Sequence, residues 1–248
     1  MGPEAKRSVF SDHQSPETSF PDHVAWLLDR MDCRRADTDE QREPIYRLRY
    51  QAYMREGTIT PNATETFSDP YDSVGDVYHF GLYIDGELSS ALRIHVISRD
   101  NPISPSFEVF SDVLQPEVDA GKVIIDTTRF VTDEKFSKLY RGLPYATLRP
   151  SWLAGRYFGA DHSLAAVRAE LQSFYRRVFN HRLIAPPRPY PHLAKPICLM
   201  TIQYQTAAEQ VQRRYPFFRS TLFERRMLFE RPVTAAPIVP SDAVVMAG

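Results

Sequence analysis

The sequence predicts a mixed α/β protein of the α+β kind, and three observations carry that expectation. Two β-rich runs, Val77–Ile84 and Glu87–Ile97, flank Asp85-Gly86, a dipeptide that favours a type I′ two-residue hairpin. Ile45, Leu48 and Ala52 recur at i, i+3 and i+7, the spacing of one helix face. Residues 122–131 are β-branched and read as a buried strand interrupted by two charges, Asp126 and Arg129. The element order is β, α, β-β hairpin, β, α, β, α, β with further helices, which is not a strict βαβ repeat.

Residues 1–22 mix Ser, Pro, Asp and Glu with little periodicity and are expected to be a disordered extension. A single domain with C-terminal helices is expected over 23–231, and the Pro-, Ala- and Val-rich 232–248 reads as a flexible tail. An apolar stretch at 24–28 precedes a first strand over 31–36. Thr38 with Gln41 makes a capping box, and Pro44 suits the first turn of a helix better than its interior. The helix therefore starts within 39–44 and ends at Gly57, a C′ glycine. Tyr46, Arg49 and Tyr53 lie beside its apolar stripe, and an Arg at such an edge aims into a pocket or an ion pair.

Residues 58–76 lack periodicity, and so long a connection in a compact domain points to a lid or a binding segment. In the hairpin, Leu88, Leu92, Ile94 and Val96 mark one face, and Ala91, Arg93 and His95 the other. Residues 98–121 read as a second Pro- and Ser-containing connection. Residues 134–158 read as a helix that Pro144 and Pro150 break in two. A short strand over 163–167, a helix over 170–179, strands over 182–185 and 197–204 around a Pro-rich loop, and helices over 207–215 and 220–229 complete the chain.

Composition narrows the class. With 248 residues, 43% apolar and 25% charged, the chain is ordinary globular protein with enough length for a sizeable core. Two cysteines, Cys33 and Cys198, cannot build a disulfide scaffold or a cysteine zinc cluster, which points to a reducing, cytoplasmic setting. No transmembrane segment is expected, since no apolar run approaches the roughly 20 residues of a span. The N-terminus, with Glu4, Asp12, Glu17 and Asp22, does not read as a signal peptide. The net charge of −1 hides an asymmetry: residues 1–135 carry 14 Lys/Arg against 25 Asp/Glu, whereas 136–231 carry 16 against 5. Of the 30 basic residues 25 are Arg, whose planar fork suits carboxylates and phosphates. The second half therefore offers a basic surface to an acidic partner, unless the bias is merely compositional.

Walker loops, Gly-x-Gly-x-x-Gly, His-Glu-x-x-His and Gly-x-Ser-x-Gly do not occur, and the seven His show no metal-ligand spacing. No metal site is expected. What stands out instead is charge where charge is disfavoured: Arg93 in a hairpin strand, and Asp126 and Arg129 in a β-branched one. A buried charge is costly unless paired. Asp69 and Asp72 in the 58–76 loop could reach these arginines, either as a structural network or as part of a site. Asp126 and Arg129 are three apart, so a regular strand points them to opposite faces. For both to line one cavity the strand must bulge, and bulges gather beside active sites.

The ordered series Arg49-x-x-x-Tyr53, Phe67-Ser-Asp69-Pro-Tyr-Asp72, Ala91-Leu-Arg93 and Asp126-Thr-Thr-Arg129-Phe130 resembles the acyl-homoserine lactone synthases over about residues 40–131. Asp126 stands where that family has Glu, Tyr53 where it has Phe, and 54–76 lacks its Trp. The wording of the chain is closer to the related N-acyl amino acid synthases, with a resemblance covering about 24–204. In the second half, Glu170-Leu-Gln-Ser-Phe-Tyr175-Arg-Arg-Val178-Phe179 resembles the Phe-Tyr-x-x-x-Gly-Phe helix of GNAT acyltransferases, with Val178 in place of Gly. Arg141-Gly142 is similar to the start of that fold's pyrophosphate loop, whose full signature is missing; a simple helix cap explains the pair equally well.

The resemblance implies a GNAT-like acyltransferase fold, a mixed, mostly antiparallel twisted sheet flanked by helices. It implies an enzyme that takes a long acyl chain from the phosphopantetheine thioester of acyl carrier protein to the amine of an amino acid, with no bound cofactor. On that reading Asp126 is the candidate base, Tyr175 the acid for the leaving thiolate, and Phe130–Val131 amides the oxyanion donors. Arg49, Arg93 and Arg129 compete for the acceptor carboxylate. Tyr53, Asp69 and Asp72 join the acceptor site, and Arg141 and Gly142 meet the phosphopantetheine. Two other readings stay open: an acyl-homoserine lactone synthase acting on S-adenosylmethionine, and a non-catalytic protein binding an acyl carrier or nucleic acid. Against nucleic acid, no aromatic-plus-basic recognition motif occurs.

Overall fold

The computed structural model describes residues 19–231. It opens on helix α1 (Phe20–Leu28), capped by Ser19: the serine hydroxyl accepts from Asp22 N and the Asp22 carboxylate takes the Ser19 amide. Residues 19–22, expected to be disordered, are ordered by this box. The rest of that expectation, 1–18, and the expected tail 232–248 lie outside the described residues.

Strand β1 (Met31–Arg35) leads to α2 (Asp39–Arg55), which begins where the Thr38–Gln41 box places it. Pro44 thus sits in the second turn, on the exposed side, where water can take the carbonyl its missing N–H leaves free. Gly57, at φ +61°, ends the helix as expected. The hairpin β2 (Val77–Ile84) and β3 (Glu87–Ile97) turns at Asp85 and Gly86, both at positive φ as a type I′ turn requires. One expected face changes. Ser89 is an extra residue between the pairs Leu82↔Ser90 and Tyr83↔Leu88, and its hydroxyl donates to Leu82 O. This bulge turns Leu88 to the side of Ala91, away from Leu92, Ile94 and Val96.

The segment expected to be a connection at 98–121 holds two helices, α3 (Pro105–Val109) and α4 (Ser111–Asp119). Ser104 caps α3 and Pro105 fills its first turn, a start signal legible in the sequence. Strand β4 (Ile124–Thr132) follows, then α5 (Glu134–Leu139) and α6 (Leu143–Tyr157). The helical segment is broken in two, as expected, but at 140–142 rather than at a proline; Pro144 opens α6 and Pro150 is accommodated inside it. Strand β5 (His162–Val167) leads to α7 (Gln172–Phe179), which Asn180 ends in the left-handed region. The Pro-rich stretch at 186–189 is not a loop: it lies inside β6 (Arg182–Tyr190), which pairs with β7 (Leu193–Gln203). β6 is an edge strand, where a missing N–H faces no neighbour. Helices α8 (Tyr204–Arg214) and α9 (Leu222–Phe229) close the described chain.

The seven strands run β1-β2-β3-β4-β5-β7-β6. Every neighbouring pair is antiparallel except β4 and β5. Helices α2, α3 and α4 cover one face, packing on Ala91, Val131, Ile97, Ile124 and Leu164. Helices α1 and α6–α9 cover the other, over Phe80, Leu92, Ile94, Ile125 and Met200. Among the described residues no helix is long and apolar enough to cross a membrane.

Candidate active site

The parallel pairing of β4 with β5 runs from Ile124↔His162 to Thr127↔Ala165 and stops. Beyond that point the edge of β4 over 128–132 has no strand partner, and a cleft of about 240 Å³ opens between the strands. β4 bulges there. Ala91 pairs with Val131 and Arg93 with Thr128, so Arg129 and Phe130 together oppose Leu92. Arg129 carries the strain of the bulge, at φ +53°, a region costly for a residue with a side chain. The bulge anticipated from the Asp126–Arg129 spacing is therefore present, and both side chains lie on the α2–α4 face of the sheet.

Behind the cleft, five buried charges alternate in sign. Asp72 accepts from Arg49 (2.7 Å) and Arg93 (2.8 Å). Asp69 accepts from Arg93 (2.6 Å) and from Arg129 Nε (2.8 Å) and Nη2. Burial by itself would raise both carboxyls, but the flanking guanidinium groups win and hold them below the usual carboxylate range. These bonds pin the 58–76 loop to the sheet, and a one-turn 3₁₀ helix, Pro70–Asp72, sets both carboxylates facing inward. Arg49 and Arg93 are fully buried.

Three imidazoles are buried: His79 and His95 beside this network, and His181 against Tyr175 and Phe179. Desolvation pushes His79 and His181 down to about 3 and His95 well below the ordinary value, so all three are neutral. The stability consequence has a definite sign. Each folded-state value lies below the unfolded one, so the unfolded chain takes up protons first as pH falls through about 6.5. Each ring then removes up to about 1.4 kcal/mol of stability per pH unit. Asp126, whose pKa burial raises, opposes this by at most one proton. Urea unfolding at pH 7 and pH 5 is expected to show a loss of several kcal/mol; equal stabilities would mean that the rings protonate in the folded state.

The cleft gathers some expected site residues and not others. Tyr53, Arg129, Phe130, Val131 and Tyr175 line it. The Tyr175 hydroxyl makes no hydrogen bond among the described residues, and burial holds its phenol above the ordinary value, hence protonated. Arg129 keeps Nη1 without a hydrogen-bond partner among the described residues. Arg49, Asp69, Asp72 and Arg93 do not line the cleft; they form the layer that positions Arg129. Asp126 also lies behind it, fully buried, raised by burial against the pull of the Ser104 and Ser106 hydroxyls and of Arg93. Arg141 and Gly142 are away from the cleft. Gly142 packs against α1, where an added Cβ would come within 3.0 Å of Val24, and Leu143 N and Tyr145 N are already bonded to Tyr140 O and Gly142 O. Next to the cleft, the turn after β4 carries Asp133, which caps α5, and Glu134.

Sequence reading missed Tyr190, which lines the cleft from β6, and Ser106, which touches Asp126. An aromatic residue in a Pro-rich run and a serine in an assumed loop offered no signal.

The family profile of the N-acyl amino acid synthase FeeM matches residues 44–203. Among solved structures, FeeM, an N-acyl amino acid synthase from uncultured soil microbes, is similar at a TM-score of 0.61 and 14% identity, over 75% of this chain and 98% of that one. The acyl-homoserine lactone synthase LasI is similar at 0.53 and 15% identity, over 71% and 93% of the two chains. BjaI, a CoA-dependent acyl-homoserine lactone synthase, is similar at 0.54 and 14% identity, over 75% and 89%. No curated protein sequence matches the chain. The profile spans well over half of the sequence, and the chain belongs to the FeeM family of N-acyl amino acid synthases.

Proposed function

We propose that the protein transfers a long-chain fatty acyl group from the phosphopantetheine thioester of an acyl carrier protein to the amine of an amino acid. The observation that carries this reading is the cleft at the β4–β5 split, where a bulged, unpaired strand edge, a guanidinium and a protonated phenol converge. A thioester laid along that edge meets the backbone amides around Phe130–Val131 as its carbonyl becomes an oxyanion. Tyr175, which lines the cleft and keeps its phenol protonated, serves as the acid for the departing thiolate. Arg129, held by Asp69 on one side, offers Nη1 to the acceptor's carboxylate. Asp126 is the base that takes the proton the neutral amine loses as it attacks, and burial raises its affinity for a proton in that direction.

Two features support a carrier-borne arm over free coenzyme A. Asp133 and Glu134 put negative charge where the helix after β4 begins, which disfavours a pyrophosphate there. Arg176 and Arg177 on α7 and Arg214 on α8 are exposed and lack a carboxylate partner among the described residues, and Arg214 reaches Arg177 O. Acyl carrier proteins are acidic, and such a cluster suits them.

A host expressing the protein is expected to accumulate long-chain N-acyl amino acids, read by mass spectrometry of extracted lipids. Acyl-homoserine lactones alone would transfer the assignment to lactone synthesis from S-adenosylmethionine. No new lipid with carrier protein present would favour a non-catalytic carrier-binding protein.

A further inference from the structure

Asp126 is the proposed base, yet it does not line the cleft. Tyr190 does. The Tyr190 hydroxyl lies 2.9 Å from Ser106 Oγ, and Ser106 Oγ donates to Asp126 Oδ1 at 2.9 Å. All three side chains are buried. A serine hydroxyl has one hydrogen, and Ser106 spends it on Asp126, so its oxygen accepts from Tyr190. The hydroxyls therefore point one way, from the cleft inward. We propose that Tyr190 and Ser106 form a proton wire from the cleft to Asp126, with Tyr190 the group that meets the acceptor amine. This rests on the acyl-transfer reading above.

The step balances. As the amine nitrogen bonds to the thioester carbon, its N–H proton passes to Tyr190 Oη, the Tyr190 proton to Ser106 Oγ, and the Ser106 proton to Asp126 Oδ1. Asp126 becomes a carboxylic acid. Collapse of the adduct breaks the C–S bond, and the thiolate takes a proton from Tyr175. After product leaves, the Asp126 proton returns along the wire to water in the cleft, and Tyr175 regains one from water. The wire gives the base access to the cleft without exposing its charge to solvent.

The ionisable groups facing the wire are Arg93 and His95 from β3 and Arg129 from β4; α3 and its cap contribute only the Ser106 and Ser104 hydroxyls. His95 is neutral, so Asp126 is the group that sets the acid limb of the pH–rate profile.

The test is carrier-thioester aminolysis by purified protein, with acceptor supplied. Tyr190→Phe and Ser106→Ala are each expected to lower kcat by about 100-fold, the scale of general-base catalysis, with KM for both substrates little changed. The double variant is expected to be no slower than either single one, since a broken wire cannot be broken twice. Ser106→Thr, which keeps the hydroxyl, should restore turnover. Unimpaired Tyr190→Phe, or losses that multiply in the double variant, would overturn the wire. Independently of activity, infrared titration of the Asp126 carboxyl should show its pKa rising in Ser106→Ala, and no rise would also overturn it. Wild-type protein that transfers no acyl group removes the acyl-transfer reading instead, while the infrared result still decides the hydrogen bond.

Discussion

Asp126→Asn is expected to reduce turnover by at least about 100-fold while the protein stays folded. The amide is isosteric, and its oxygen still accepts from Ser106, so no hydroxyl is orphaned. It also removes a fully buried ionisable group from the sheet. What it cannot do is take a proton. Arg129→Ala is expected to reach a similar loss by another route, through the acceptor carboxylate it no longer holds. Asp69 then keeps Arg93 at 2.6 Å, so its charge remains paired. Residue 129 stays at positive φ in both proteins, and neither Arg nor Ala is free of that strain. One thermal melt and one thioester-release assay on each variant separate the possibilities. Near-normal activity with a much lower melting temperature would make Asp126 and Arg129 structural, and the proposed site would fall with them.

The largest stability effect is expected at Asp72, not at any arginine. Arg49 is fully buried, with Asp72 at 2.7 Å, His79 Nδ1 at 3.3 Å, and Nε without a partner. In Asp72→Asn the Arg49 guanidinium stays charged, because arginine does not deprotonate in proteins, and His79 beside it is neutral. An uncompensated buried charge of this kind costs about 3–5 kcal/mol. Arg49→Met is expected to cost less, since Asp72 retains Arg93 at 2.8 Å and a carboxylate can protonate when it loses a cation. Urea unfolding of the two variants decides the matter, and equal losses, or the reverse order, would sink this account of the network. The comparison also bears on function, since Asp69 and Asp72 share one turn and Asp69 holds Arg129.

Much of this protein was legible along the chain. The Asp85-Gly86 turn set both hairpin strands to the residue, because only one turn type fits that dipeptide between twisted strands. The Thr38–Gln41 box marked the start of α2, and it outranked Pro44, which a helix tolerates when the orphaned carbonyl faces water. Arg93, Asp126 and Arg129 were visible as charge in strands, Asp69 and Asp72 as loop carboxylates within reach of the arginines, and Arg49 as an Arg beside the apolar stripe of α2. Other features were overlooked although their signals were there: Ser19-x-x-Asp22 opening α1 and Ser104-Pro105 opening α3 are both local start signals. The prolines of β6 misled, since their tolerance depends on the strand being at the edge of the sheet, and strand order is not a local property.

Residue types and spacing by themselves determined the class of fold, the hairpin, the α2 stripe and the demand for a bulge between Asp126 and Arg129. These follow from backbone geometry with a reach of a few residues, periods of 2 and 3.6 and the chemistry of turns and caps. Tertiary structure alone decided which of these charges line the cleft. Arg49, Arg93 and Arg129 look alike in sequence, but the sheet closes over the first two and opens beside the third, at the point where β4 and β5 stop pairing. It also joined Ser106 to Asp126 across 20 residues of chain and Tyr190 to Ser106 across 84. A hydrogen bond 2.9 Å long carries no trace in sequence when its partners lie on different elements, because only tertiary packing sets that distance.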